Sequence, residues 1–167
     1  MGLAASSGRH PIDNARVVIV GSFCEQPPLN LIRTIERAGC YVVDDDLILG
    51  NRLIEGDVTG LDEKTPIRAI VDAFIDRARA AAFLLTEEEK GAQLVERLQR
   101  ANAEGVLFCA PSFCDPALLD QPMLVEAVEK AGLPYTSFKY AENTGQFQVI
   151  REQAGTFADS IKLWGAA

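Results

Sequence analysis

Arg16-Val-Val-Ile-Val-Gly-Ser22 is the stretch that decides the fold. Its four consecutive β-branched side chains leave no polar face, the pattern of a strand covered on both sides, as strands of a parallel sheet are. On its carboxyl side, Cys24-Glu25-Gln26 leads to Pro27-Pro28, which suit a loop and a first helical turn. Leu29, Ile32 and Ile35 then recur at helical spacing, and Ala38-Gly39 supplies a glycine stop. A second short apolar run, Cys40-Tyr-Val-Val-Asp44, reads as strand two, with the acids Asp44, Asp45 and Asp46 expected to end it. From Asp46 to Asn102 the chain reads as a long, mostly helical crossover. Thr65-Pro66 opens a helix with Ile67, Ile70, Val71, Phe74 and Ile75 along one side, and Thr86-Glu-Glu-Glu89 has capping-box spacing ahead of Leu94, Val95 and Leu98.

The alternation continues. Gly105-Val-Leu-Phe-Cys-Ala110 is strand three, broken by the proline-bounded loop Pro111-Ser-Phe-Cys-Asp-Pro116. A helix follows over Gln121 to Lys130, and its stop at Ala131-Gly132 repeats the first one. Leu133 to Phe138 is strand four, with its proline near the start, where a missing N–H does least harm. Gln146 to Trp164 closes the chain as a helix whose inner face is Phe147, Ile150, Phe157, Ile161 and Trp164. The expected fold is therefore a three-layer α/β domain with about four parallel strands, in the flavodoxin-like order 2-1-3-4, and helices on both faces. Residues 1–15 read as a polar lead-in or linker, and 16–167 as a single domain.

Composition narrows the function classes. A chain of 167 residues suits one ordinary domain, and 48% hydrophobic with 24% charged residues is a globular composition. A net charge of −8, with Lys and Arg dispersed among acids, argues against a nucleic-acid partner. No apolar run approaches the roughly 18 residues that cross a bilayer, and the N-terminal stretch lacks a signal peptide's apolar centre, so the expected compartment is the cytoplasm, with no membrane partner. Four cysteines without an export signal are expected to stay reduced, as core filler or as ligands.

In an open parallel sheet, ligands gather beyond the carboxyl ends of the strands, where strand order reverses. In the order 2-1-3-4 that point lies between strands one and three. Their exits carry Phe23-Cys24-Glu25 and Phe113-Cys114-Asp115, so two distant segments each bring a Phe-Cys-acid triplet to one crevice. Cys40 and Cys109 lie within strands and read as core. Cys24 and Cys114 lie in loops beside prolines and acids, and read as ligands or reactive thiols as readily as core filler. The spacing of the cysteines fits no zinc ribbon. An iron-sulfur cluster commonly takes four thiolates, of which this chain brings two together. The sole histidine, His10, lies in the lead-in, so a Ser-His-Asp or Cys-His mechanism lacks its base. Val20-Gly-Ser-Phe-Cys24 is neither a P-loop nor Gly-x-Gly-x-x-Gly, which disfavours a nucleotide phosphate site. Asp44 to Asp46 would suit a Mg²⁺ site of receiver type, but a run of acids at a strand exit is more often a solvated helix entry, and no aspartate ends strand three.

Gly21-Ser-Phe-Cys-Glu-Gln-Pro-Pro28, Ile35-Glu-Arg-Ala-Gly-Cys-Tyr-Val-Val-Asp-Asp-Asp46 with Gly50-Asn-Arg52, Phe113-Cys-Asp-Pro116 and Glu129-Lys-Ala-Gly-Leu-Pro134 together resemble the C-terminal part of the benzoyl-CoA reductase and 2-hydroxyacyl-CoA dehydratase family, nearer its benzoyl-CoA reductase side. The resemblance runs from about Arg16 to Trp164. It implies a subunit about twice this length, paired with a paralogous subunit and holding a [4Fe-4S] cluster through cysteines from more than one domain. ATP is hydrolysed by separate iron-sulfur activator subunits, not bound here, and an aromatic acyl-CoA is reduced through a ketyl radical. By position Cys114 corresponds to the C-terminal cluster ligand, Cys24 becomes a second candidate for holding or flanking the cluster, and Glu25 and Asp115 become candidate acids for tuning the cluster or moving a proton near it. The family's other cluster cysteines belong to an N-terminal half that this chain lacks, so the resemblance implies an excised domain with an incomplete ligand set, stable as an apo fold. Within the family the alternative is radical dehydration of a 2-hydroxyacyl-CoA; outside it, a non-catalytic interaction domain of the same fold.

Overall fold

The protein is described by a computed structural model for residues 12–21, 27–47, 54, 56–60, 65–77, 87–141 and 147–164. At its centre lies β1 (Ala15–Val20), in which Val17, Val18 and Ile19 are each at most 1% exposed. It pairs in parallel with β2 (Cys40–Asp45) on one side and β3 (Gly105–Pro111) on the other, and β4 (Tyr135–Tyr140) pairs in parallel with β3. The order β2-β1-β3-β4 is the one the hydropathy pattern predicts.

Because side chains alternate along a strand, the central strands feed two cores. Val17 and Ile19 of β1, with Leu107 and Cys109 of β3, pack with α1 (Leu29–Arg37) and α5 (Phe147–Trp164) through Leu31, Ile35, Ile150 and Phe157. Val18 and Val20, with Val106 and Phe108, pack on the opposite face with Leu94 and Leu98 of α3 (Glu87–Arg100) and Val128 of α4 (Asp115–Lys130). These are the three expected layers. Gly105 opens β3 beneath α5, and a Cβ there would stand 2.7 Å from Phe157 Cζ, so only glycine lets the helix lie this close.

Three local expectations are corrected. Strand two does not end at its first acid: a register shift after Val17 brings Val18 opposite Asp44, skipping Val43. This bulge turns Asp44 to the α3 side of the sheet, where the Arg97 Nε stands 3.0 Å from Asp44 Oδ2 and the Arg97 guanidinium also donates to the Asp45 carbonyl at 2.9 Å. The helix expected from Gln121 begins at Asp115, since Pro116 occupies a first-turn position that needs no N–H, and it runs on through Pro122. Strand four starts two residues late. Gly132 (φ +71) and Leu133 close α4 by donating to the Glu129 and Val128 carbonyls, at 2.9 and 3.1 Å, so Leu133 is spent on a Schellman stop before β4 begins. Helix α2 (Pro66–Arg77) forms as expected; of its side chains Ala73 is buried, and Ile67, Ile70, Val71, Phe74 and Ile75 are exposed. Thr86 and the side chain of Trp164 lie outside the described residues, whereas Phe147, Ile150, Phe157 and Ile161 line the inner face of α5 as expected. No helix among the described residues is long and apolar enough to cross a membrane.

Candidate functional site at the carboxyl edge of the sheet

Gly21 leaves β1 at φ +114, and a Cβ on it would stand 3.1 Å from the Cys109 carbonyl oxygen. The exit of β1 therefore grazes the backbone of β3, which only glycine permits in that conformation. Beyond β3 the chain is pinned twice: the Ser112 N–H donates to the Tyr140 carbonyl at 2.7 Å, and the Cys114 N–H to the Pro111 carbonyl at 3.1 Å. The second bond closes a tight turn whose third residue, Phe113, has φ +69. A positive φ there is the mark of a type II turn and is ordinarily left to glycine. Holding a phenylalanine in it costs about 1–2 kcal/mol. The ring is 97% exposed and is buried against none of the described residues.

Cys114 follows at the N-cap of α4, 8% exposed and packed against Ala110, Ala117 and Leu118, with no side-chain capping bond. Asp115 is exposed in the first turn. The structure thus places Cys114 and Asp115 at the mouth predicted for them, while Cys24 and Glu25, in 22–26, lie outside the described residues. Gly21, where β1 ends, lies against β3, so the ends of both strands stand at one edge.

The other two thiols are core, as their positions within strands predict. Cys40 and Cys109 are at most 1% exposed; Cys40 Sγ lies 3.8 Å from the Ala154 carbonyl oxygen and Cys109 Sγ 3.6 Å from that of Leu107. Burial pushes the Cys40 thiol up to about 11, against the opposing pull of Lys162, and burial, with Cys40 as a second cause, holds Cys109 well above its ordinary value. Neither is a ready thiolate near neutral pH. The sign follows by linkage: between 9.0 and about 11 the folded chain keeps the Cys40 proton that the unfolded chain has released. Stability is complete below pH 9 and declines as pH rises through the folded value. Denaturant midpoints measured from pH 8 to 11 are expected to fall, and Cys40→Ala to flatten that fall; an unchanged slope in the variant would contradict the assignment.

The acids at the end of β2 are engaged in holding structure. Asp44 Oδ1 accepts the Asp45 N–H at 2.9 Å and Asp45 Oδ1 accepts the Leu47 N–H at 3.0 Å, while Asp44 Oδ2 faces Arg97. Among the described residues, no three His, Cys, Asp or Glu side chains converge as a metal-binding group. Sequence reasoning missed two features here: Arg97, read only as part of a helix, and the left-handed backbone of Phe113, which no local signal announces.

Residues 3–161 match the family described as 2-hydroxyglutaryl-CoA dehydratase, D-component. The chain belongs to that family. Among its relatives, a benzoyl-CoA reductase subunit of Thauera aromatica is 54% identical over 154 residues, 91% of this chain and 39% of the relative. The (R)-phenyllactyl-CoA dehydratase beta subunit of Clostridium sporogenes is 22% identical over 151 residues, 90% of this chain and 39% of the relative. The beta subunit of lactoyl-CoA dehydratase from Anaerotignum propionicum is 24% identical over 152 residues, 90% of this chain and 40% of the relative. The family resemblance read from the motifs is confirmed, and the chain is more similar to the reductase subunit than to either dehydratase subunit. It spans about two-fifths of the length of these relatives.

Proposed function

We propose that this chain is the C-terminal, cluster-proximal domain of a benzoyl-CoA-reductase-type subunit, acting in the cytoplasm with a paralogous subunit and with ATP-hydrolysing iron-sulfur activator subunits. The observation that carries the reading is the 54% identity to a benzoyl-CoA reductase subunit, against 22% and 24% for the two dehydratase subunits. The overall reaction adds two electrons and two protons to the aromatic ring of benzoyl-CoA, giving a cyclic dienoyl-CoA with the thioester intact.

A [4Fe-4S] cluster, when bound, supplies the low-potential electrons. Donor chemistry supports one sulfur from the described residues: Cys114 stands at the mouth, whereas Cys40 and Cys109 are sealed in the core with their protons held. Cys24 is the second candidate from this chain, and further donors would come from other domains. The remaining work falls to the chain's own residues. The doubly pinned Pro111–Cys114 turn holds the thiol in place, and the positive end of the α4 dipole faces the mouth, suiting an anionic group there. Asp115, and Glu25 if it lies alongside, are the acids through which a proton would reach this edge.

The test is product identity in the complex reconstituted with its partner subunits, ATP and a low-potential reductant. Cyclic dienoyl-CoA from benzoyl-CoA is the expected product. Formation of an enoyl-CoA from a 2-hydroxyacyl-CoA, with benzoyl-CoA untouched, would replace the reading with that of a dehydratase.

A further inference from the structure

The turn after β3 presents an aromatic ring that none of the described residues buries. Phe113 adopts φ +69, a conformation that bulky side chains avoid, and its ring is 97% exposed. Glycine would form the same turn without strain, and an aromatic side chain that packs on nothing does not stabilise the fold. The turn is also rigid: the Ser112 N–H is tied to Tyr140 on β4, and the Cys114 N–H to Pro111, with α4 starting immediately afterwards. The ring thus stands on a fixed support at the carboxyl edge, one residue before the cysteine assigned to the mouth. A strained residue maintained by its surroundings, and unrewarded among the described residues, is the kind of outlier from which a functional contact is inferred.

Resting on the acyl-CoA reading above, we infer that Phe113 is a stacking residue, whose exposed ring receives a flat π system of the acyl-CoA at the mouth beside Cys114. Phenylalanine has no hydrogen bond to offer, so it selects for a planar apolar face rather than for a charged group or a hydroxyl. An aromatic acyl-CoA carries two such faces, the acyl ring and the adenine base. Either satisfies the chemistry, and each is separable by experiment. The preformed turn lowers the ordering cost of the contact, since the ring has only two side-chain torsions left to fix.

The experiment measures binding to the full 167-residue chain by ligand-observed NMR, with three probes: benzoyl-CoA, benzoyl-pantetheine, which lacks adenine, and butyryl-CoA, which lacks the aromatic acyl group. Phe113→Gly is expected to weaken benzoyl-CoA binding roughly tenfold while its thermal midpoint stays equal or rises. Phe113→Asn, which tolerates the left-handed backbone, is expected to match it, and Phe113→Tyr to retain binding. Loss of benzoyl-pantetheine binding assigns the acyl ring as the partner, and loss of butyryl-CoA binding assigns the adenine. Unchanged binding of all three probes by Phe113→Gly and Phe113→Asn overturns the inference and leaves the acyl-CoA reading standing. A lowered midpoint in both variants also overturns it, because the ring would then be supporting the fold. If the wild-type chain binds none of the probes, the assignment of this edge to an acyl-CoA falls, and the inference falls with it.

Discussion

Arg97→Ala is expected to lower the unfolding free energy by about 3 kcal/mol, the scale seen when one partner of a buried ion pair is removed. Arg97 is the buried charged side chain among the described residues, at 9% exposure. It serves two groups at once, the Asp44 carboxylate at 3.0 Å and the Asp45 carbonyl at 2.9 Å. Truncation takes this guanidinium away from a carboxylate that is only 20% exposed, on the α3 side of an edge strand. For a chain of this size the thermal midpoint is expected to fall roughly 6–12 °C. Pairing Arg97→Met with Asp44→Leu should recover most of the loss, since replacing both partners by apolar groups removes the stranded charge. Thermal and denaturant unfolding of the two single variants and the double variant measure the coupling directly. If Arg97→Ala unfolds like the wild type, Arg97 is not what keeps β2 in register through its acids.

That ion pair also marks how far the sequence could be read. The strand order was legible because each strand is a short β-branched or aromatic run that ends in a polar or proline-bounded loop, with β2 and β4 each following a glycine-stopped helix, and the right-handed crossover leaves few ways to arrange such units. The end of β2 was not legible, because the residue that makes three consecutive acids tolerable there, Arg97, lies 53 positions away on α3. The bulge that aims Asp44 at it has no local signature either. The same limit governed α4. Pro111 and Pro116 suggested a loop, yet Pro116 sits where a helix needs no donor, and the helix it opens runs on through Pro122. At the site, the positions of Cys114 and of the two core cysteines followed from strand boundaries, whereas the positive φ of Phe113 accompanies a turn anchored by the long-range bond from Ser112 to Tyr140, and no glycine marks it in the sequence.

Cys114→Ser separates a structural role for this thiol from a ligand role, because the two make opposite predictions. Cys114 occupies the N-cap of the 16-residue helix α4 and makes no side-chain capping bond. Serine is among the best N-cap residues, and its hydroxyl can accept one of the unpaired first-turn N–H groups, a gain of about 1 kcal/mol. The pocket of Ala110, Ala117 and Leu118 exacts a similar cost for a hydroxyl left partly unpaired. The substituted chain should therefore unfold within about 1 kcal/mol of the wild type. A position where serine serves the helix as well as cysteine has a reason for sulfur outside the helix, and under the proposed function that reason is iron. In the anaerobically reconstituted complex, Cys114→Ser is expected to lower iron and acid-labile sulfide to a small fraction of the wild-type content and to abolish dienoyl-CoA formation, with subunit assembly intact by size-exclusion chromatography. The isolated wild-type chain, short of donors, should hold far less than one [4Fe-4S] per chain while remaining folded. Unchanged iron in the Cys114→Ser complex would remove Cys114 from the ligand set, and a full cluster on the isolated chain would show that its ligands need no second domain.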